Sequence, residues 1–453
     1  MGRCAPRAVW SDQLDQTALS PHADDHAPRS EKGRDMRAST SPGRTPRRRI
    51  AALALAASVS LIAACGTGGS GSTSSDGTQT INVALTGLGE EGKATNAAIK
   101  AFEKANPKIK VKVQVLSTDA TQYQQQIQQR LVAGSGAPDV FKLDGIYGAA
   151  FAKSGWLLDL SKVKADTSKF LPTSLTAGQY EGKTYAVPWF ANTEGLFYRT
   201  DLVKTPPTTP DELVTAAQEA MKKDSKLKYG LAFEGAKYEG VITAFMALAG
   251  GFGGKLDPEN LDTPQNQQAL QFMDDLIRKY KIAPSAVTGW KEGEVQQAFS
   301  SGQAAFAINW PFVFSTTKGT PTEGKVGFVP FAGKGGTLGT EMLAINSKST
   351  HSAAAWKLIQ YLTSKDVQID RALKAGNPPS VSAAYSPELF KEAPYYREVE
   401  KVAKVAVQRP VSPNYPKVSV ELQTMLSSVV SNLTAPDKAL SDAAPKVRDA
   451  AHG

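Results

Sequence analysis

The stretch from residue 81 to residue 143 limits the fold more than any other part of this chain. Ile81, Val83 and Leu85 alternate along the chain, which predicts a strand. Residues 91–105 place Ala98, Phe102 and Ala105 on one helical face and stop at Asn106-Pro107. Ile109, Val111, Val113 and Val115 alternate strictly, which predicts a half-buried strand. Tyr123, Ile127 and Leu131 fall four apart on a Gln-rich helix ending at Gly134, and residues 138–143 read as a third strand. Strand–helix–strand–helix–strand at this spacing predicts an α/β domain with a largely parallel sheet.

The same grammar continues downstream. Residues 180–185 make a turn between aromatics and lead into Ala186-Val187-Pro188-Trp189-Phe190, and Gly195-Leu196-Phe197-Tyr198 reads as a strand. Thr209-Pro210-Asp211-Glu212 is a helix start, with a Thr cap, Pro first and Glu three after the cap. Thr263-Pro264 opens another helix, with Leu270, Met273, Ile277 and Tyr280 on one face. A helix carrying Val295 and Phe299 breaks at Gly302, before an apolar strand at 304–308. Residues 326–331 and 342–345 read as strands, 351–362 as a helix, and Val418, Leu422, Met425, Leu426 and Val429 mark a C-terminal helix. No break in composition separates one part from another.

Ahead of this body lies an export signal. Arg44, Arg47, Arg48 and Arg49 precede an apolar run of 15 residues at 50–64, shorter than the roughly 20 needed to span a bilayer. Ile62-Ala63-Ala64-Cys65 resembles a bacterial lipobox, which makes Cys65 the expected lipidation site and first residue of the mature chain. Residues 1–35 are acidic and unlike a signal, so translation is expected to begin at Met36. Arg47-Arg48 leaves twin-arginine export open beside the general route. Residues 66–77, nearly all Gly, Ser and Thr, form a flexible linker that would hold the body roughly 20 Å from a membrane.

Composition excludes several classes of function. Residues 1–64 hold 10 of the 52 Lys and Arg and 6 of the 43 Asp and Glu, so the mature chain carries a net charge of +5 rather than +9. That charge is dispersed, and nucleic acid is not an expected partner. Cys65 is the only mature cysteine, so no internal disulfide is possible. Only His351 and His452 remain, which argues against a histidine-based metal site or catalytic triad. There is no P-loop, G-x-S-x-G, CxxC or HExxH motif. Residues 250–254 are glycine-rich but follow an apolar helix rather than a strand, so they read as a helix end. Glu292 and Glu294 stand two apart on a helix and point in different directions, unlike a glycosidase pair. No cofactor is expected.

What remains is a set of aromatics beside polar residues: Trp189-Phe190 with Asn192, Trp290 with Glu292, and Asn309-Trp310-Pro311-Phe312. Sugars suit that mix, because their C–H faces stack on rings and their hydroxyls donate and accept. At these residues the mature chain, from about 81 to 433, resembles the extracellular sugar-binding proteins of bacterial ABC importers. Three signatures carry the resemblance. One is Gly182-Lys183-Thr184-Tyr185-Ala186-Val187-Pro188 with Tyr198-Arg199-Thr200-Asp201-Leu202. The second is Ala304-Ala305-Phe306 with Asn309-Trp310-Pro311, and the third is Leu343-Ala344-Ile345 with Ala354-Ala355-Trp356-Lys357-Leu358-Ile359. Residues 309–314 and 409–415 are most similar to the trehalose-binding lipoproteins.

The resemblance implies a two-lobed, periplasmic-binding-protein-like (type II) α/β fold with mixed sheets and several chain crossings at the hinge. Residues 80–189 with 340–374 would form lobe 1, and 190–339 with 375–453 lobe 2, after a signal region 1–64 and a linker 65–79. Crossings would fall near 189–192, 337–341 and 373–377. It also implies six ligand-binding residues: Asp144, Asn192, Glu292, Trp310, Gly339 and Arg409. Asp144 would accept from sugar hydroxyls, although Asp before Gly145 also suits a helix cap. Asn192 would donate and accept, and Glu292 would take a hydroxyl pair, although a solvated helix-start carboxylate is its alternative. Trp310 would stack on a sugar ring or pack in the core, Gly339 would let backbone approach the ligand, and Arg409 would reach hydroxyls from a Pro-fixed loop or lie on the surface.

Thr340 and Glu341 depart from the family pattern, where a second Gly is common. The loop at 86–93 lacks an aromatic, though Glu90 or Glu91 could enter the cleft. The implied function is a monomeric, lipid-anchored, extracytoplasmic protein, not an enzyme. It would bind a disaccharide, trehalose first, and pass it to the importer's membrane permease subunits. Maltose, a maltodextrin, an α-glucoside or a glycerophosphodiester is the alternative ligand, and an anchored glycosidase or an adhesive or scaffold lipoprotein a more distant reading.

Overall fold

The computed structural model describes residues 77–85, 89–117 and 120–453. The signal, Met36, Cys65, the linker as far as residue 76 and part of the loop after residue 85 lie outside the described residues.

Eleven strands are described: β1 Gln79–Ala84, β2 Ile109–Val113, β3 Val140–Asp144, β4 Gln179–Tyr180, β5 Lys183–Thr184, β6 Ala186–Arg199, β7 Tyr229–Ala232, β8 Ala304–Asn309, β9 Val326–Val329, β10 Thr337–Ile345 and β11 Val407–Gln408. β4 and β5 form a separate hairpin whose turn needs positive φ at Glu181 and Gly182 (47° and 73°). The other nine join in the order β2-β1-β3-β10-β6-β8-β7, with β11 on β10 and β9 on β6. β1 pairs in parallel with β2 and β3, as the opening pattern predicts. β10, however, runs antiparallel to both β3 and β6, so the sheet is mixed rather than largely parallel. Local periodicity says nothing about the direction in which a distant strand returns.

β6 and β10 hold the two halves of this sheet together. The first part of β6 pairs with β10, and its last residues, Gly195–Arg199, pair with β8 and β9 instead. One 14-residue strand therefore replaces the two separate segments predicted here. The β6–β10 register slips between Glu341 and Met342, leaving Trp189 without a ladder partner, and Pro188 sits at that bulge, where Pro is tolerated. The Trp189 carbonyl is instead satisfied by Gln368 Nε2, at 2.5 Å, and Ser380 Oγ, at 3.3 Å. Residues 377–381, just after Gly376 ends its helix at φ 72°, lie beside the same point, where Ala191 N–H donates to the Pro378 carbonyl.

Helices cover both faces of each half. Ile81, Val83, Val140 and Trp356 share one cluster, while Ala84, Phe141, Leu143 and Ile127 share the opposite one, as alternation requires. In the other half, the apolar helix Glu239–Gly251 packs with Pro264–Arg278 and Tyr415–Val430, and both of these are packed in turn by Pro436–His452. The last of these has no counterpart in the sequence reading. Val113 and Val115 are 36% and 88% exposed, because β2 is the sheet's edge and the strand ends at Val113. Trp189 and Phe190 are core residues at 1% and 4% exposure, with the Arg371 guanidinium stacked over both rings. Arg371 also donates to Thr95 Oγ1 and Glu91 Oε1, each at 2.8 Å, which commits Glu91 to the core. Among the described residues no helix is long and apolar enough to cross a membrane.

Gly335, just before β10, lies against the helix Glu239–Gly251. A Cβ there would stand 1.9 Å from the Ala247 carbonyl oxygen. Gly335→Ala is expected to lower unfolding free energy by about 1–3 kcal/mol through forced backbone displacement, read as a reduced denaturant midpoint.

Candidate functional site

A cavity of about 280 Å³ opens where β3, β6 and β10 meet the start of the helix Glu239–Gly251. All six residues singled out above line it. The sheet explains much of this convergence: Asp144 is in register with Glu341, and Asn192 with Gly339.

Asp144 does two things at once. Its Oδ1 accepts from Ile146 N–H at 3.2 Å, capping a short 3-10 turn, and from Arg409 Nη2 at 2.8 Å. Cap and site residue were alternatives in sequence; the structure combines them. Arg409 is neither on the surface nor a free arm, being 3% exposed. Its Nη1 donates to Glu239 Oε1 at 3.1 Å, and its Nε has no protein partner. Burial works against its charge, but Asp144 and Glu239 outweigh it and hold the guanidinium firmly protonated. Glu239 opens its helix, where the positive end of the dipole favours a carboxylate. It also accepts from Tyr415 OH at 2.7 Å and Ser419 Oγ at 2.5 Å. The chain Asp144–Arg409–Glu239–Tyr415 thus ties β3 to helices on the far half of the sheet.

Glu292 opens the helix Glu292–Ser300 but does not cap it; the Lys291 N–H goes to Glu294 Oε2 at 2.9 Å, so the two carboxylates diverge. Burial raises the Glu292 carboxyl pKa. Asn309, fully buried, donates from Nδ2 to the Glu292 carbonyl at 3.0 Å and accepts the Trp310 N–H on Oδ1 at 2.8 Å. One amide side chain therefore positions both Glu292 and Trp310. The Trp310 ring fills the space above Gly339, where a Cβ would lie 2.6 Å from Cη2. Gly339 thus makes room for the tryptophan. Thr340 and Glu341 both line the cavity, and Glu341 Oε2 is 3.8 Å from Lys142 Nζ.

Tyr238, Glu239, Thr243 and Lys142 also line the cavity and were missed in sequence. Acidic Glu239 just ahead of the apolar run at 241–249 was the available signal for a helix start. Trp290 is absent from the lining and packs on Tyr229 with ring centres 5.3 Å apart. Glu90 pairs with Lys93 at 2.7 Å, so neither acidic residue of that turn lines the cavity. No group of three His, Cys, Asp or Glu suited to a metal occurs among the described residues.

Behind the Glu292 wall, Glu194 of β6 and Glu234 are both fully buried. Burial raises both carboxyl pKa values, Glu194 to about 8, and their mutual proximity raises Glu234 further. In the folded protein this pair retains protons that the unfolded chain releases above about pH 4.5. Its contribution to stability is therefore present at low pH and falls as pH rises from about 4.5 towards 8. Unfolding free energy should decline across that window, and Glu234→Gln should flatten the decline; denaturant titrations at several pH values read both. Separately, Arg409→Leu should destabilise the fold by about 3–5 kcal/mol, because Asp144 and Glu239 lose their shared counter-charge. Asp144→Asn, at a more exposed carboxylate, should cost less in the same unfolding measurement.

Comparison with known proteins gives one consistent result. Residues 86–369 match the model of the bacterial extracellular solute-binding protein family. A Deinococcus radiodurans protein described as a "Probable ABC transporter-binding protein" is 33% identical over 69% of this chain and 80% of its own length. The maltose-bound T. maritima MalE3 structure superposes with a TM-score of 0.76 at 32% identity, covering 82% of this chain and 99% of that one. A Thermotoga lettingae solute-binding protein bound with α-D-tagatose gives a TM-score of 0.72 at 28% identity, covering 82% and 100%. The two-lobed binding-protein fold is shared with both.

Proposed function

Given that this chain belongs to the bacterial extracellular solute-binding proteins, we propose that it is the sugar-binding component of an ABC importer and holds a disaccharide, trehalose, in the cavity between β3 and the helix Glu239–Gly251. The observation that carries this reading is the pairing of an aromatic face with unspent polar atoms. Trp310 presents a ring beside Asn192 and Gly339. Around it, Tyr238 OH, Thr340 Oγ1, Glu341 Oε2 and Arg409 Nε are buried polar atoms without a hydrogen-bond partner. Such atoms are costly to bury unless something bonds them, and a polyhydroxylated ring supplies donors and acceptors together. Asp144, Asn192, Glu292 and Arg409 would set hydroxyl selectivity, because an unmatched buried polar group discriminates far better than a missing methylene. The maltose-bound relative supports maltose or an α-glucoside as the second reading. The cavity of about 280 Å³ lies near the lower end of the roughly 300–1,000 Å³ typical of small-ligand sites, which suits a short sugar better than a long dextrin.

The proposed lobes are residues 80–189 with 340–374 and 190–339 with 375–453. Ligand contacting both would favour the closed arrangement, with motion about β6, β10 and residues 373–377. Cys65 would carry the lipid and keep the protein, as a monomer, beside the permease outside the cytoplasm. No step of covalent chemistry on the sugar is part of this reading.

Trehalose should raise the unfolding temperature more than maltose does, in a thermal-shift comparison across disaccharides. Trp310→Ala should weaken trehalose binding by about tenfold or more, a loss of about 1.4 kcal/mol. Retention of affinity within about twofold, measured by calorimetry, would rule out stacking.

A further inference from the structure

The charges around the cavity are unevenly spent. Two cations line it, and both are engaged: Arg409 by Asp144 and Glu239, and Lys142 by Glu341 at 3.8 Å, with its ammonium also 5.4 Å from the Tyr123 ring centre. Four carboxylates line it, and Glu292 is the one with no ion pair among the described residues. Glu194 and Glu234 lie behind it, outside the lining, and burial keeps both protonated, so Glu292 is the carboxylate that sets the charge at this end. Lys291 is the nearest lysine in sequence, but it is exposed and its ammonium lies over the Tyr238 ring at 5.3 Å, outside the lining. A separate observation marks the cavity as one that receives a ligand: Thr340 is 1% exposed, lines it, and leaves Oγ1 unbonded.

We propose that the Glu292 end of the cavity is a subsite for a positively charged substituent, so that the protein takes amino-substituted sugars as well as neutral ones and rejects phosphorylated and uronic sugars. This rests on the sugar-binding reading above. An ammonium placed there would meet an unpaired carboxylate in a partly desolvated wall, where its attraction is weakly screened. A phosphate placed there would meet the Glu292 carboxylate with no cation of its own beside it, and like-charge contact across a binding surface is strongly unfavourable. Both cations already face carboxylates, Arg409 with Asp144 and Glu239 and Lys142 with Glu341, so their charge is largely offset and Arg409 Nε is the one guanidinium donor left over.

Calorimetry on the full chain decides this with three series: trehalose and maltose, their monoamino-deoxy derivatives at each hydroxyl position, and their 6-phosphates. At low salt, at least one amino derivative should bind as tightly as its neutral parent or more tightly, and the phosphates should bind more than about tenfold more weakly. Glu292→Gln should abolish the preference for the amine and narrow the phosphate penalty, whereas Glu292→Asp, which keeps the charge, should retain both. A penalty caused by bulk alone would be the same in Glu292→Gln. The inference is overturned if every amino derivative binds more weakly than its parent, or if a phosphate binds within about tenfold of it. These wild-type comparisons stand even if a variant fails to fold. If neither trehalose nor maltose binds, the sugar reading itself fails and takes this inference with it.

Discussion

The buried guanidinium of Arg409 is the interaction on which the rest of the site depends. It lies between Asp144, at the end of β3, and Glu239, at the start of a helix on the other half of the sheet. Neither carboxylate alone would offset the cost of removing that charge from water; two together do. The pairing orders both cavity walls at once. It also spends the site's strongest cation internally, and leaves Glu292 as the lining carboxylate without an ion pair among the described residues.

The second constraint is the pair of long strands. β6 and β10 each take partners from both halves of the sheet; the bulge at Trp189 lies where β10 parts from β3, and β6 passes to β8 and β9 at Gly195. The bulge needs Gln368 and Ser380 to satisfy its carbonyl and a stacked Arg371 to cover its ring. The cavity lies just beyond this bulge, at Asn192 and Gly339–Glu341.

Much of the fold was legible from pattern. The first three strands and two helices follow from alternation at 81–85 and 109–113 and from the spacing of Tyr123, Ile127 and Leu131. Pattern misled where an element's surroundings decided the outcome. Val113 and Val115 keep a perfect alternation and yet are exposed, because β2 has a neighbour on one side only. Trp189 and Phe190 read as ligand-facing aromatics and are core, because the bulge turns them under Arg371. Tyr238, Glu239 and Thr243 gave no motif, since what brings them to the cavity is the packing of their helix against β10.

By itself, the sequence determined the alternation of strands and helices, the basic and apolar runs ahead of Cys65, the scarcity of histidine and cysteine, and the six residues that line one cavity. Those properties are local or compositional, and they survive any arrangement of the chain. Only the tertiary structure decided that β10 returns antiparallel, that Gly339 makes room for Trp310, and that Arg409 is a buried bridge rather than a free arm. These depend on contacts between residues as far apart as Asp144 and Arg409. The free energy of such a contact is a property of where two side chains meet and how much water they lose there, and neither quantity is written in the order of residues along the chain.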